Sequence, residues 1–538
     1  MKRRNFIQLS ALTGAIPFLG IKACAAPANE SNENAAEEKP FELEEWEVSE
    51  LREAMESGKY TSRQICQLYL DRIVEKDQSE NGLNSVIEVN PDALDIADAL
   101  DKERADGKVR GPLHGIPVMI KDNIDSGDKM MTTAGSMALA GASAPDDAFI
   151  VKKLREAGAV LLGKTNLSEW ANFRSFRSSS GWSGRGRQTR NPFAMDRNPC
   201  GSSSGSGSAV SGNMCAITIG TETNGSIVCP SSANGVVGIK PTVGLWSRDG
   251  IIPISETQDT AGPMGRSVAD AAALLGALTG VDTADPRTSE SEGNYHVDYT
   301  QFLDANGLNG KRIGVLAGTI GQHEGVDAIM ENAFEAIEAQ GATVVKDIKV
   351  NEDGAYGNSG FEVLLYEFKD GLNKYLASRP DAQVKTLADV IQFNKDKADV
   401  EMPYFQQEIL EQSESKGPLS DKEYQEALEK MLSVSRDGLD NALKENNLDA
   451  IVGVTGGPAW PIDVISGDHY GISSSTPAAR SGYPNITVPA GFVHGLPVGM
   501  SIFGGKYQEP KLISIAYSFE QATKVRKAPK LIPTLPLP

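Results

Sequence analysis

Histidine is scarce in this chain: five among 538 residues, at positions 114, 296, 323, 469 and 494. None falls in H-E-x-x-H or another paired spacing, so the usual zinc patterns are absent and no metal site is expected. Cysteine is equally rare, and copies at 24, 66, 200, 215 and 229 fit neither C-x-x-C nor a disulfide framework. Cys200 and Cys229 read as small buried residues. Positive charge is short as well, with 52 Lys and Arg against 72 Asp and Glu and a net charge of −20. That balance argues against nucleic acid and against anionic membrane surfaces as partners. The leading apolar run, Leu9 to Ile21, is too short to cross a bilayer.

What the chain has in plenty is glycine, 54 residues, and it is concentrated to effect between Pro199 and Pro230. There P-C-G-S-S-S-G-S-G-S-A-V is followed, after an apolar rise, by G-T-E-T-N-G-S-I-V-C-P. Ser202 and Ser226 each stand in a glycine-rich turn, with room between them for a helix (204–213) and a strand (215–220). A flexible linker would have this composition, but apolar strand-like sequence (C-A-I-T-I-G, then G-V-V-G-I) surrounds the turns. A serine in such a turn can present its hydroxyl beside bare N–H groups, an arrangement suited to attack on a carbonyl. Thr223, Asn224, Gly225 and Ser226 offer four consecutive backbone N–H groups that can hold an oxyanion.

Serine at its ordinary pKa needs a base, and no histidine lies in either turn. Lys121 follows Ile116–Ile120, an unbroken apolar run expected to form a strand buried on both faces. Burial there lowers a lysine pKa and frees the neutral amine. Lys164, in G-K-T-N, is a competing lysine that reads as structural.

Residues 1–25 carry Lys2, Arg3 and Arg4, the apolar run, and Ala23-Cys24-Ala25, the layout of an export signal. The paired arginines suggest the twin-arginine type; lipid attachment at Cys24 is the alternative, and the only route by which a membrane would enter. Periplasmic localisation follows from either. Residues 26–41 read as a disordered tether, and 42–538 as one large domain. Helical spacing marks residues 51–73, with Ser62 as a cap, and then 91–103. Strands at 116–120 and 159–162 alternate with a helix over 147–157. A helix capped by Ser267 follows, then a more helical region over about 281–447 that includes a Ser420/Glu423 capping box. Strands over 311–316, 342–350 and 448–454 complete an α/β pattern.

G-S-S-S-G-S, G-T-E-T-N-G-S-I and G-V-V-G-I-K-P-T together resemble the signature of the amidase signature family. Gly115–Asn123 (G-I-P-V-M-I-K-D-N) and S-G-Y-P-N-I-T-V-P-A-G-F from Ser481 to Phe492 add two further matches in the same order. The resemblance spans about Val48 to Thr523. It implies a mixed central β-sheet covered by helices on both faces, and no cofactor. It also implies Ser226 as nucleophile, Lys121 as base, and Ser202 as a proton relay after a cis peptide bond, with Ser203 in support. A carboxamide would be hydrolysed to carboxylate and ammonia through an acyl-enzyme. Cys200 and Ser204 replace glycines of the common pattern, Glu222 an aspartate, and Asn224 a glycine. Val228 stands where many members have arginine, which disfavours acidic amides. The E-T-N-G-S-I-V-C-P variant is similar to bacterial peptide amidases, so the expected substrate is the C-terminal amide of a peptide or another neutral amide.

Three other readings compete. G-S-S-S-G formally satisfies the nucleophile-elbow motif with Ser203 as nucleophile and His494 as base, but Arg197–Cys200 is no strand. An amidotransferase-type glutaminase subunit shares the signature. An exported solute-binding protein would suit the leader and the acidic charge.

Overall fold

The computed structural model describes residues 40–351 and 354–536. The expected leader and most of the tether fall outside the described residues. Residues 42–538 cluster as one compact unit.

The strands, in chain order, are β1 (Val86–Val89), β2 (Pro117–Lys121), β3 (Val160–Thr165), β4 (Trp182–Ser183), β5 (Arg187–Gln188), β6 (Ile217–Glu222), β7 (Val237–Lys240), β8 (Thr260–Gly265), β9 (Arg312–Leu316), β10 (Thr343–Ile348), β11 (Ala450–Val454), β12 (Asn485–Val493) and β13 (Leu496–Phe503). β4 and β5 make a small ribbon of their own, and the other eleven form one mixed sheet. Its spatial order is β1-β3-β2-β6-β8-β7-β12-β13-β11-β9-β10. β2 runs parallel to both neighbours, β3 and β6, whereas β8, β7, β12 and β13 pair antiparallel. All of β2, β3 and β6 is buried, as expected of parallel strands covered on both faces.

Helices predicted from periodicity occur within a few residues of their expected places: Val48–Glu56, Ser62–Arg72, Ala93–Ala105, Phe149–Glu156 and Val268–Ala277. Two caps differ. Thr61, not Ser62, caps the second helix, in a reciprocal box with Gln64. The Ser420/Glu423 box does not form; the helix starts after Asp421 at Lys422, and Glu423 instead accepts a hydrogen bond from Tyr366. Propensity alone could not foresee that tertiary competitor.

One pairing sets the position of the site. β2 and β6 lie side by side in parallel, with Ile120 opposite Ile219. Lys121 and Thr221 therefore emerge together at the carboxyl ends of adjacent strands, where open α/β sheets commonly place their ligand sites.

Candidate active site

Lys121 is fully buried, and its Nζ lies 2.8 Å from Ser202 Oγ, 2.8 Å from Thr221 Oγ1 and 3.3 Å from Thr221 O. Burial is the main influence on its pKa, bringing it down from 10.5 to about 7; the negative charges of Asp259 and Glu222 act in the opposite direction. The amine is thus available in its neutral form near neutrality. Asn123 Nδ2 donates to the same Thr221 Oγ1 at 3.0 Å. Ser203 pins that threonine in turn: its hydroxyl donates to Thr221 O at 3.0 Å and accepts from Thr221 N at 3.1 Å. Sequence reasoning did not single out Thr221, although it stands in G-T-E-T-N-G-S, one strand over from Lys121.

The Gly201–Ser202 peptide is cis, as the resemblance implied. Ser202 precedes the helix Ser204–Ser211. The serines of that helix bind carbonyls outside it rather than capping it: Ser204 to Cys200 O, Ser206 to Ile219 O and Ser208 to Arg190 O. They fasten the helix to the segments flanking it.

Ser226 lies in a half-buried turn after β6, opened by Gly225 at φ +86°, a conformation that glycine adopts without steric cost. The two serine segments meet where Ser203 N donates to Ser226 O at 3.2 Å. Glu222 organises the turn: its carboxylate accepts from Gly225 N (2.8 Å), Ile227 N (2.8 Å) and Val228 N (3.1 Å). This corrects one expectation, because the Gly225 N–H is engaged by Glu222 and is not an open oxyanion donor. Among the described residues, no protein acceptor is found for the N–H groups of Thr223, Asn224 and Ser226. Thr223 is held by a hydrogen bond from its hydroxyl to the half-buried Asp259, 2.5 Å away.

A second correction concerns sulfur. Cys200 and Cys229 are joined in a disulfide, with Cα atoms 6.0 Å apart. Their separation of 29 residues gives no local sign of pairing, and only the fold brings the two turns together. Cys66 and Cys215 are free and buried.

Thr223–Ser226 borders a cavity of about 430 Å³, within the range of small-ligand sites. Phe173, Phe176, Ile254, Leu364, Trp460 and Tyr470 supply apolar walls. Asp468 is the one charged side chain in the lining, and no lysine or arginine lines it among the described residues. Asp468 accepts from Ser180 N, Asn198 Nδ2 and Trp460 Nε1, at 2.9, 3.1 and 3.2 Å. Leu364 comes from the helix Ser359–Ala377 in the helical middle region. Val228 is fully buried, away from this lining. A smaller cavity of about 220 Å³ adjoins across Thr223 and Ile254 and reaches Asn123, Thr221 and Asp259.

The competing residues lie elsewhere. Lys164 is buried, donating to Ile124 O and Thr132 Oγ1 at 2.8 and 2.6 Å. His494 is exposed at the turn between β12 and β13. His469 is exposed and lies 3.4 Å from Asp463. Ser203 is fully buried and committed to Thr221, which leaves the nucleophile-elbow reading without its nucleophile or its base. No cluster of His, Cys, Asp and Glu able to hold a metal ion occurs among the described residues.

Comparison with known proteins identifies the family. The Amidase family model matches residues 64–513. The chain is 43% identical to a probable amidase of Arabidopsis thaliana over 501 residues, covering 91% of this chain and 93% of the relative. Among solved structures, the peptide amidase of Stenotrophomonas maltophilia superposes with a TM-score of 0.88 at 49% identity, over 91% of this chain and all of that one. A glutamyl-tRNA(Gln) amidotransferase subunit of Halorhodospira halophila is 32% identical, over 89% of this chain and 98% of the relative. A solute-binding role is set aside by these matches: the chain belongs to the amidase signature family, and is a hydrolase acting on amides.

Proposed function

We propose that this chain removes the C-terminal amide of peptides, or hydrolyses similar neutral carboxamides, by a Ser226–Ser202–Lys121 mechanism. The observation that carries the reading is the 2.8 Å hydrogen bond between a fully buried Lys121 and Ser202, behind the cavity that Ser226 lines. Neutral Lys121 takes the Ser202 proton as Ser202 takes that of Ser226, and Ser226 Oγ attacks the amide carbon. The N–H groups of Thr223, Asn224 and Ser226 receive the developing oxyanion. The proton returns through Ser202 to the leaving nitrogen, ammonia departs, and water then cleaves the acyl ester along the same relay.

The substrate class rests on the lining. Apolar and aromatic walls suit peptide side chains, whereas no lysine or arginine among the described residues lines the cavity to pair a substrate carboxylate. Similarity to the Stenotrophomonas peptide amidase supports the same choice. An amidotransferase-type glutaminase would have to seat the glutamine carboxylate here without a cation. Ammonia release from the purified chain, measured with neutral peptide amides, aryl amides and glutamine, tests the reading. Peptide amides should be turned over with a kcat/KM at least tenfold above glutamine, and the reverse order would sink it.

We further propose that the chain is exported and acts in the periplasm. The paired arginines of the leader support this, and so does a disulfide, which persists in oxidising compartments. Fractionation of cells carrying Arg3→Lys with Arg4→Lys should find the variant retained with the cytosol; unchanged periplasmic recovery would dismiss the twin-arginine route.

A further inference from the structure

We propose that the Cys200–Cys229 disulfide is a positioning crosslink for amide hydrolysis, so that full turnover requires this pair in its oxidised state. The proposal rests on the reading of Ser202 and Ser226 as reacting residues.

The bridge joins the two segments whose separation matters. Cys200 lies two residues before Ser202, and Cys229 three residues after Ser226 in the helix Val228–Ala233. Both cysteines line the catalytic cavity, are only 4% exposed, and pack with Ala233 and Trp460.

Cys200 has φ +58°, in the left-handed region that favours glycine. An L-residue placed there is sterically disfavoured, and the crosslink gives it a physical reason to be present. The surrounding hydrogen bonds hold Cys200 in that conformation: Asn198 Oδ1 accepts from Cys200 N at 2.8 Å, and Ser204 Oγ donates to Cys200 O at 2.6 Å. On the other side Cys229 N donates to Gly225 O at 2.8 Å, which ties its sulfur to the oxyanion turn.

A dithiol reductant would deliver two electrons and two protons, leaving thiols at Cys200 and Cys229 while the reagent closes to its cyclic disulfide. Two non-bonded sulfurs need a van der Waals separation wider than a covalent bond. Both sulfurs border the cavity, so the thiols can turn into it, and the covalent tie that fixes one serine segment against the other is lost. A misplacement of about 1 Å between reacting groups is enough to cost on the order of 100-fold in rate. The other ties are hydrogen bonds, each weaker than a covalent bond: Ser203 N to Ser226 O (3.2 Å), Asn234 Nδ2 to Pro199 O (2.9 Å), Ser211 Oγ to Asn234 O (2.6 Å) and the Ser203–Thr221 pair (3.0 and 3.1 Å).

The test compares oxidised full-length enzyme, the same enzyme reduced with dithiothreitol and alkylated with iodoacetamide, and Cys200→Gly/Cys229→Ala, which removes both thiols and puts glycine at the left-handed position. Each is assayed well below its unfolding midpoint, with circular dichroism to check the fold. The rate of Ser226 labelling by a fluorophosphonate is the second readout. We expect kcat and the labelling rate to fall at least threefold, and about tenfold, in the reduced enzyme and the double variant. Reduced but unalkylated enzyme should regain activity with oxidised glutathione.

A crosslink that serves stability alone would lower the unfolding midpoint while leaving kcat and labelling within threefold, and that result overturns the proposal. If instead the oxidised wild type carries no label at Ser226, the serine reading itself has failed, which the double variant cannot mimic. If the double variant does not fold, the reductant arm on wild type decides by the same threefold criterion.

Discussion

Thr221 Oγ1 sits 2.8 Å from Lys121 Nζ, and both are buried at the carboxyl ends of parallel neighbouring strands. The threonine hydroxyl is shared, since Asn123 Nδ2 also donates to it. It fixes the direction in which Lys121 faces Ser202. Thr221→Val keeps the shape and removes that acceptor, leaving the buried Asn123 amide without this partner, at a cost of about 1–3 kcal/mol, and Lys121 with only Ser202 Oγ and Thr221 O. We expect kcat to fall about 10- to 100-fold with KM little changed, and Thr221→Ser to recover most of it. Steady-state kinetics beside thermal unfolding check this; a Thr221→Val enzyme with wild-type kcat refutes the role.

The pH dependence follows from Lys121. Its pKa is lowered to about 7, and only the neutral amine can accept a proton, so kcat/KM should climb as pH rises through about 7 and then level off. The stability contribution has the same sign. Between about 7 and 10.5 the unfolded chain keeps this proton while the folded one has released it, so stability rises with pH across that window. Lys121→Ala should lose most of the rate at every pH. A rising limb that survives in Lys121→Ala would assign the titration to another group.

Lys164 is the contrasting case. It is buried and its pKa is also lowered, by burial first, yet its amine is held by Ile124 O and Thr132 Oγ1, away from both serines. Lys164→Met should destabilise the fold by about 1–3 kcal/mol, from acceptors left unpaired in the interior. The midpoint of the kcat/KM limb should not move. A displaced midpoint with intact stability would contradict this.

Ser226→Ala deletes one half-buried hydroxyl at the cavity edge. Stability should change by no more than about 0.5 kcal/mol, while turnover and fluorophosphonate labelling disappear. Amidase activity within tenfold of wild type would mean that another nucleophile operates.

Histidine should be dispensable for the chemical step. His494 and His469 are both exposed, and neither lines the cavity. His494→Ala and His469→Ala should each retain kcat within about twofold, and a collapse in His494→Ala with the fold preserved would bring a histidine base back into consideration.

Some of this was legible in residues alone. Ile116–Ile120 is apolar without interruption, which foretells a strand covered on both faces and therefore a desolvated Lys121 at its end. The two glycine-rich turns, and the helix and strand between them, follow equally from local pattern because backbone conformation there depends on nearby residues. Ser267 was recognisable as a helix cap for the same reason, and its hydroxyl does accept from Asp270 N.

Properties that depend on distant chain crossings were decided only by the tertiary structure. Cys200 and Cys229 are 29 residues apart in sequence, and their pairing exists because the segments around Ser202 and Ser226 fold against each other. Thr221 matters because β6 lies beside β2 in a register that places it against Lys121. The Gly225 N–H looked open in the sequence, but Glu222 turns back onto it, and side-chain direction in a tight turn is not a local sequence property. The leader's charge pattern is local, as are the buried strand that precedes Lys121 and the turn 223–226; the disulfide and the cavity lining, which holds no lysine or arginine among the described residues, join segments far apart in the chain, and such contacts form only when the chain packs.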